Sequence, residues 1–151
     1  MTEKLIIKQA NLADAPVIAE FNCKMAMETE NLQLDSSTVG TGVENLMQRP
    51  EHGFYIVAKL NDTVCGCLMI TREWSDWRNG LFWWIQSVYI EPEYRRQGIF
   101  RKMYQFISEY AKQESVIGLR LYVEQENKIA QKTYNELGMQ KSNYQIYEQI
   151  F

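Results

Sequence analysis

The chain is short of the residues that build metal centres and disulfide frameworks. It carries three cysteines and one histidine. No Cys or His pair has metal-ligand spacing, so no metal is expected. Three is an odd count. Cys65 and Cys67 alternate along an apolar stretch and read as core filler, Cys23 stands alone, and all three are expected to be reduced thiols. The lone His52, in Pro50-Glu51-His52-Gly53, reads as a turn residue. No apolar run approaches the ~18 residues that a membrane-spanning helix needs. The opening MTEKLIIK turns charged again too soon for the apolar core of a signal peptide. These absences point to a cytoplasmic chain with no membrane partner. With no linker, repeat or low-complexity tract, residues 1–151 are expected to form one domain. A net charge of −3 argues against nucleic acid as the main partner. No glycine-rich loop ends in Gly-Lys-Ser/Thr, which disfavours a nucleotide P-loop.

What is present is an alternation of strand and helix patterns. Leu5 to Lys8 is a short apolar strand. Asn11 or Asp14 can cap a helix with Pro16 early inside it and Val17, Ile18, Phe21 and Met25 at helical spacing. Asp35 and Ser36 offer a second cap before Val39, Val43, Leu46 and Met47, and Pro50 closes that helix. FYIVAKL (54–60), a turn at Asn61-Asp62 and VCGCLMIT (64–71) predict a hairpin. A polar link then leads to a strand at 82–90. Ile99, Phe100, Met103, Phe106, Ile107 and Tyr110 trace one helix face. GLRLYVE (118–124) alternates as a strand, and Asn127 to Leu137 is helical with Gly138 just past its end. Two short strands, around 139–142 and 144–150, finish the chain. The order β-α-α-β-β-β-α-β-α-β-β predicts an α/β domain with a mixed twisted sheet flanked by helices.

The most informative stretch is WIQSVYIEPEYRRQGIFR, residues 84–101. An apolar strand runs through Glu91-Pro92 into a basic, glycine-containing loop that opens a helix. The amides of a first helical turn point outwards and the helix dipole favours negative charge there, so this arrangement suits an anion. Gly98 brings the backbone close, and Arg95, Arg96 and Arg101 add positive charge. The chain is acidic elsewhere, so the cluster suits one small anion, read here as a cofactor pyrophosphate.

Arg95-Arg96-Gln97-Gly98-Ile99-Phe100 resembles the [Q/R]-x-x-G-x-[G/A] loop of the GNAT superfamily of acyl-coenzyme-A-dependent N-acetyltransferases. Asn127, Ala130, Tyr134, Gly138 and Met139 match that family's N-x-x-A-x-x-x-Y-x-x-x-G-[F/M] helix. Asn127, Ala130 and Tyr134 fall at i, i+3 and i+7, hence on one helix face. The order of elements agrees over nearly the whole chain.

The resemblance implies acetyl-CoA as cofactor, held by the backbone of Arg95, Arg96, Gln97, Gly98, Ile99, Phe100 and Arg101, with Asn127 and Tyr134 beside it. It implies that the pantetheine arm pairs with the backbone of Val88, Tyr89 and Ile90, where two parallel strands splay apart. The amide of Val88 would face the acetyl carbonyl, and Tyr134 would protonate the departing sulfur. Many members place a glutamate base on the fourth strand, but the matching residue here is Gln86. The base is left open among Glu73, Glu28 and Glu30, or a relayed water. Two loop positions also depart from the pattern. Arg96, standing where glycine is common, is expected in an ordinary backbone conformation, and the bulky Phe100 must turn away from a phosphate.

All four tryptophans, Trp74, Trp77, Trp83 and Trp84, fall within REWSDWRNGLFWW. Trp74 and Trp77 with Glu28, Glu30 and Gln86 are candidates to line a site for a small cationic amine, since aromatic faces and carboxylates attract cations. The alternative is that Trp83 and Trp84 are strand core while Trp74 and Trp77 clamp a turn. The expected activity is transfer of an acetyl group to a primary amine. The alternatives are a non-catalytic acyl-CoA sensor and a protein-amine acetyltransferase. Dimers are common in the family, and the apolar segment Tyr144 to Phe151 offers a surface for a homodimer.

Overall fold

The computed structural model describes residues 4–151. A five-stranded sheet runs in the order β1 (Leu5–Gln9), β2 (Gly53–Leu60), β3 (Thr63–Ser75), β4 (Gly80–Ile90) and β5 (Gly118–Leu121). The first three pairings are antiparallel, and β4–β5 is parallel. Helices α1 (Ala15–Glu30) and α2 (Ser36–Met47) cover one face of the sheet, and α3 (Ile99–Gln113) covers the other. A shorter α4 (Lys128–Glu136) follows β5.

The local signals act where the sequence puts them. Asn11 and Asp14 form a reciprocal capping box around a single 3-10 turn, and α1 begins one residue later with proline in its first turn. Asp35 caps α2 by accepting from the Thr38 amide. Asn61 and Asp62 both take positive φ, 50° and 68°, which lets two residues reverse β2 into β3.

Two bulges decide which side chains face which layer. In β2 the alternation is regular: Phe54, Ile56 and Ala58 pack under α3, Tyr55 and Val57 under α1 and α2. The β2–β3 register shifts beside Ala58, so Cys65 is an extra residue. Cys65 and Cys67 are both buried, as expected of core filler, yet they lie on opposite faces of the sheet. A second bulge interrupts β4: Leu68 alone faces Ser87 and Val88, between the pairs Met69–Gln86 and Cys67–Tyr89. Trp83 and Ile85 face α3 before it, Val88 and Ile90 after it, so Tyr89 swings to the α1 side.

The structure corrects four expectations. Residues 72–81 are not a polar link. The β3–β4 ladder continues through Arg72–Trp83 and Trp74–Leu81 to Ser75–Gly80, making one long hairpin. The strand expected over 118–124 keeps its ladder only to Leu121, opposite Ile85, because β4 turns away beyond that point. Asn127 is the N-cap of α4 rather than part of it. The strands expected around 139–142 and 144–150 do not form. A strand needs a partner for its backbone groups, and among the described residues no other element hydrogen-bonds to the backbone of that segment.

Candidate active site

The site is built around the end of β4. Its residues 82–85 pair with β5, whereas among the described residues Gln86 to Ile90 have β3 as their one strand neighbour. The two parallel strands therefore diverge, leaving one edge of β4 open just where the bulge lies. Ser87 holds φ at 52°, costly for a residue with a Cβ. The bulge takes Val88 out of the regular ladder and leaves its neighbourhood free to present backbone donors.

From Ile90 the chain makes a 3-10 turn at Pro92–Tyr94 and then a basic loop into α3. Arg96 and Gly98 both lie in the left-handed region, at φ 63° and 77°. Arg96 is thus not in the ordinary conformation expected of it: the loop must coil tightly twice to deliver α3, and only one of the two positions is glycine. A Cβ built on Gly98 would meet nothing within 4 Å, so the loop opens onto space. The start of α3 has no side-chain cap and no acidic residue, and its first turn carries Arg101 and Lys102. That charge opposes the helix dipole unless an anion sits against it. Among the described residues, neither Arg96 nor Arg101 has an ion-pair partner.

Arg95 is engaged differently. Its Nε donates to the Ile90 carbonyl at 2.7 Å and one terminal nitrogen to Glu28 Oε2 at 2.8 Å. The guanidinium also lies over the Tyr89 ring, 5.4 Å from its centre, and the Tyr89 hydroxyl donates to Glu28 Oε1 at 3.2 Å. Burial, then the Glu28 carboxylate, raises the Tyr89 pKa. Glu28, Tyr89 and Arg95 thus tie the end of α1 to the loop. Lys24 adds a second tie, to Glu91 at 2.9 Å.

Phe100 does turn away from the loop's open side. It packs between Tyr104 and Tyr134, with its ring centre 6.0 Å from that of Tyr134, edge to face. This contact joins the two sequence motifs. Burial raises the Tyr134 pKa above its usual 10.0, so the phenol holds its proton firmly. Asn127 spends its side-chain oxygen on the Ala130 amide, at 3.1 Å, and Gly138 closes the helix at φ 96°.

On the α1 face, beyond the helices, lies a second cluster. Glu73 Oε1 accepts from Trp84 Nε1 at 2.7 Å and from Arg120 at 2.9 Å. Burial alone would raise the Glu73 pKa, but those two hydrogen bonds and the arginine charges outweigh it and hold the carboxyl below its ordinary value. Arg120 covers Phe82, 3.7 Å from the ring centre, and Trp84 stacks on Tyr122 at 4.5 Å. Gln86 donates to Thr71 Oγ1 at 2.6 Å. Trp74 and Trp77 stand apart near the hairpin tip, Trp77 87% exposed, while Trp83 is buried between Phe54 and Tyr110. The tryptophans do not gather into a cage. Glu30 ends α1, exposed and without a hydrogen-bond partner among the described residues. Arg120 escaped the sequence reading; its signal was a lone charge in an apolar strand, and only the register brings it to Glu73.

The model of the acetyltransferase (GNAT) family matches residues 21–139, which takes in both motifs and the open end of β4. The chain belongs to the GNAT acetyltransferase family. Solved structures agree. A possible acetyltransferase from Clostridium difficile 630 is 42% identical, with 97% of each chain covered and a TM-score of 0.91. A predicted acetyltransferase from Clostridium acetobutylicum, solved with acetyl-CoA, shares the fold at 16% identity, covering 97% of this chain and 96% of its own, with a TM-score of 0.78. An aminoglycoside N-acetyltransferase in complex with CoA does so at 13% identity, covering 99% and 97%, also at 0.78. The GNAT family uses acetyl-CoA, and the open loop, uncapped helix and unpaired edge of β4 suit such a molecule. No helix among the described residues is long and apolar enough to cross a membrane.

Proposed function

We propose that this GNAT domain is a cytoplasmic N-acetyltransferase that moves the acetyl group of acetyl-CoA onto a primary amine of a small cationic molecule. The observation that carries the reading is the open edge of β4, with its bulge at Ser87 and Val88, running directly into a loop coiled for anion binding. The backbone from Arg95 to Arg101 would hold the pyrophosphate, with Arg96 and Arg101 supplying charge, and Val88 to Ile90 would pair with the pantetheine arm. Acetyl-CoA, when bound, supplies an activated thioester carbonyl. The Val88 amide is the donor suited to negative charge growing on an acyl oxygen. Tyr134, kept protonated by burial, is the acid for a departing thiolate.

Freeing the lone pair of a lysine-like amine at pH 7 costs about 4.6 kcal/mol, so a proton acceptor matters. Glu28 and Glu73 are each held by an arginine, and Glu73 is a weakened base. Glu30 or a relayed water is the better candidate. For the acceptor wall, Glu30, Gln86, Trp84 and the Glu73–Arg120 pair now stand ahead of Trp74 and Trp77. A second reading, a non-catalytic acyl-CoA binder, draws its support from those two engaged carboxylates.

The test is thiol release from acetyl-CoA in the presence of polyamines, amino acids, aminoglycosides and peptides in turn. Release that depends on a small amine supports the enzyme and names its acceptor. Release with peptides alone would make it a protein-amine enzyme. Tight acetyl-CoA binding with no release from any amine would favour the binder.

A further inference from the structure

Glu73 and Arg120 satisfy each other only in part. Glu73 Oε1 accepts from both Arg120 and Trp84 Nε1, while Oε2 has no hydrogen-bond partner among the described residues. Arg120 donates through one terminal nitrogen alone, and its guanidinium rests over Phe82. Arg78 lies over the same ring at 5.2 Å and adds to the positive side. Trp84, stacked on Tyr122, paves the sheet beside the pair. α1 and α2 pack on Tyr55, Val57, Cys67 and Tyr89, so this part of the sheet face stays open. The Arg120 and Glu73 side chains are 28% and 40% exposed.

Such a pair selects by sign. A head group of one charge is drawn to one partner and repelled by the other at nearly the same distance, so it gains little. A head carrying ammonium and carboxylate together meets Glu73 Oε2 with the first and the remaining Arg120 nitrogens with the second, and both contacts attract. The aromatic floor suits an apolar chain leading away from that head. Position adds a ruler. Arg120 pairs with Trp84, four residues before Val88, which at ~3.3 Å per residue is roughly 13 Å along β4. A contact of ~3 Å at each end leaves on the order of 7 Å between the head and a nitrogen reacting beside the Val88 amide. An extended chain covers about 1.2 Å per bond, so about six bonds span it, the number between the two amines of lysine.

Resting on the reading of acetyl transfer at the β4 bulge, we propose that the acceptor is a diamino acid of lysine's length. Its α-amino acid head sits on Glu73 and Arg120, and its side-chain amine is acetylated. Such a molecule is a small cation at neutral pH, since its two ammonium groups outweigh one carboxylate. The side-chain nitrogen bonds the acetyl carbon as the C–S bond breaks. Of the two protons that nitrogen sheds, one ends on the thiol and the other in solvent. Glu73, whose β4 partner is Phe82, is then a specificity residue rather than the base, because it lies too far along the sheet from the bulge.

Lysine, cadaverine and 6-aminohexanoate share the reacting amine and its chain; cadaverine lacks the carboxylate and 6-aminohexanoate the α-amine. Thiol release should give lysine a kcat/KM about tenfold or more above either analogue. Arg120→Gln should erase the advantage over cadaverine, and Glu73→Gln the advantage over 6-aminohexanoate, with KM carrying the change. Ratios between compounds within one variant cancel any loss of folded protein. Calorimetric titration of the CoA-saturated protein with the same three compounds reads the head site without turnover. Lysine no better than cadaverine, or variants that weaken all three compounds alike, would overturn the proposal, while release from some other amine would leave the acetyltransferase reading standing. Lysine binding with the crossed preferences, but no release from any amine, would uphold the head site and overturn the acetyl-transfer reading instead.

Discussion

Replacing Tyr134 by phenylalanine separates chemistry from packing. The phenol hydroxyl has no hydrogen-bond partner among the described residues, so its loss orphans no donor or acceptor. The ring keeps its edge-to-face contact with Phe100, 6.0 Å away. Stability should therefore move by no more than ~0.5 kcal/mol, the range of substitutions that break no specific feature. If the hydroxyl is the acid, kcat should fall about 10²- to 10⁴-fold, a loss of ~3–5 kcal/mol in barrier lowering. KM for acetyl-CoA should hold within about threefold, because the loop and β4 carry the binding. The pH profile gives an independent check. Burial raises the phenol's pKa, so the protonated, active form persists above pH 10.0, and wild-type kcat should decline only beyond that. The phenylalanine variant should show no such decline. Stopped-flow thiol release, melting curves and a pH series to 11 would measure all three. An unchanged kcat, or a kcat loss matched by a falling melting temperature, would refute the assignment.

Further outcomes follow from the same geometry. Gly98→Ala keeps open space around the new methyl but forces it to φ 77°, so stability should drop by about 1 kcal/mol and KM for acetyl-CoA should rise, read by melting and kinetics. Because the folded pKa of Glu73 lies below its ordinary 4.5, its ion pair adds stability above that pH and loses it as acid takes the pH through the lower folded value. Arg120→Gln should flatten that acid limb in a pH series of denaturant melts, by under ~1 kcal/mol for so exposed a pair. Burial pushes the Cys67 thiol up to about 12 and raises that of Cys65, so native protein should take up one equivalent of a thiol reagent, at Cys23, with the other two reacting only on unfolding.

Some of this protein was written locally. Caps at Asn11 and Asp35, the Asn61-Asp62 reversal, the periodic face of α3 and the terminator Gly138 act over four or five residues, so the sequence determined those elements without outside help. The basic loop and the Tyr134 helix were legible for the same reason, since each motif is contiguous; that Phe100 turns onto Tyr104 and Tyr134 was left to the tertiary structure. The tertiary structure decided what depends on register. Bulges at Cys65 and Ser87 reverse the alternation that strand reading assumes, sending Cys65 and Cys67 to opposite faces and Tyr89 toward α1. The links Glu28–Arg95 and Glu73–Arg120 span separations that no local pattern encodes, and they changed which carboxylates are free to act. Residues 144–150 show the division most plainly. Their side chains favour a strand, but a strand exists only where another backbone meets its hydrogen bonds, and that is a property of the assembled fold.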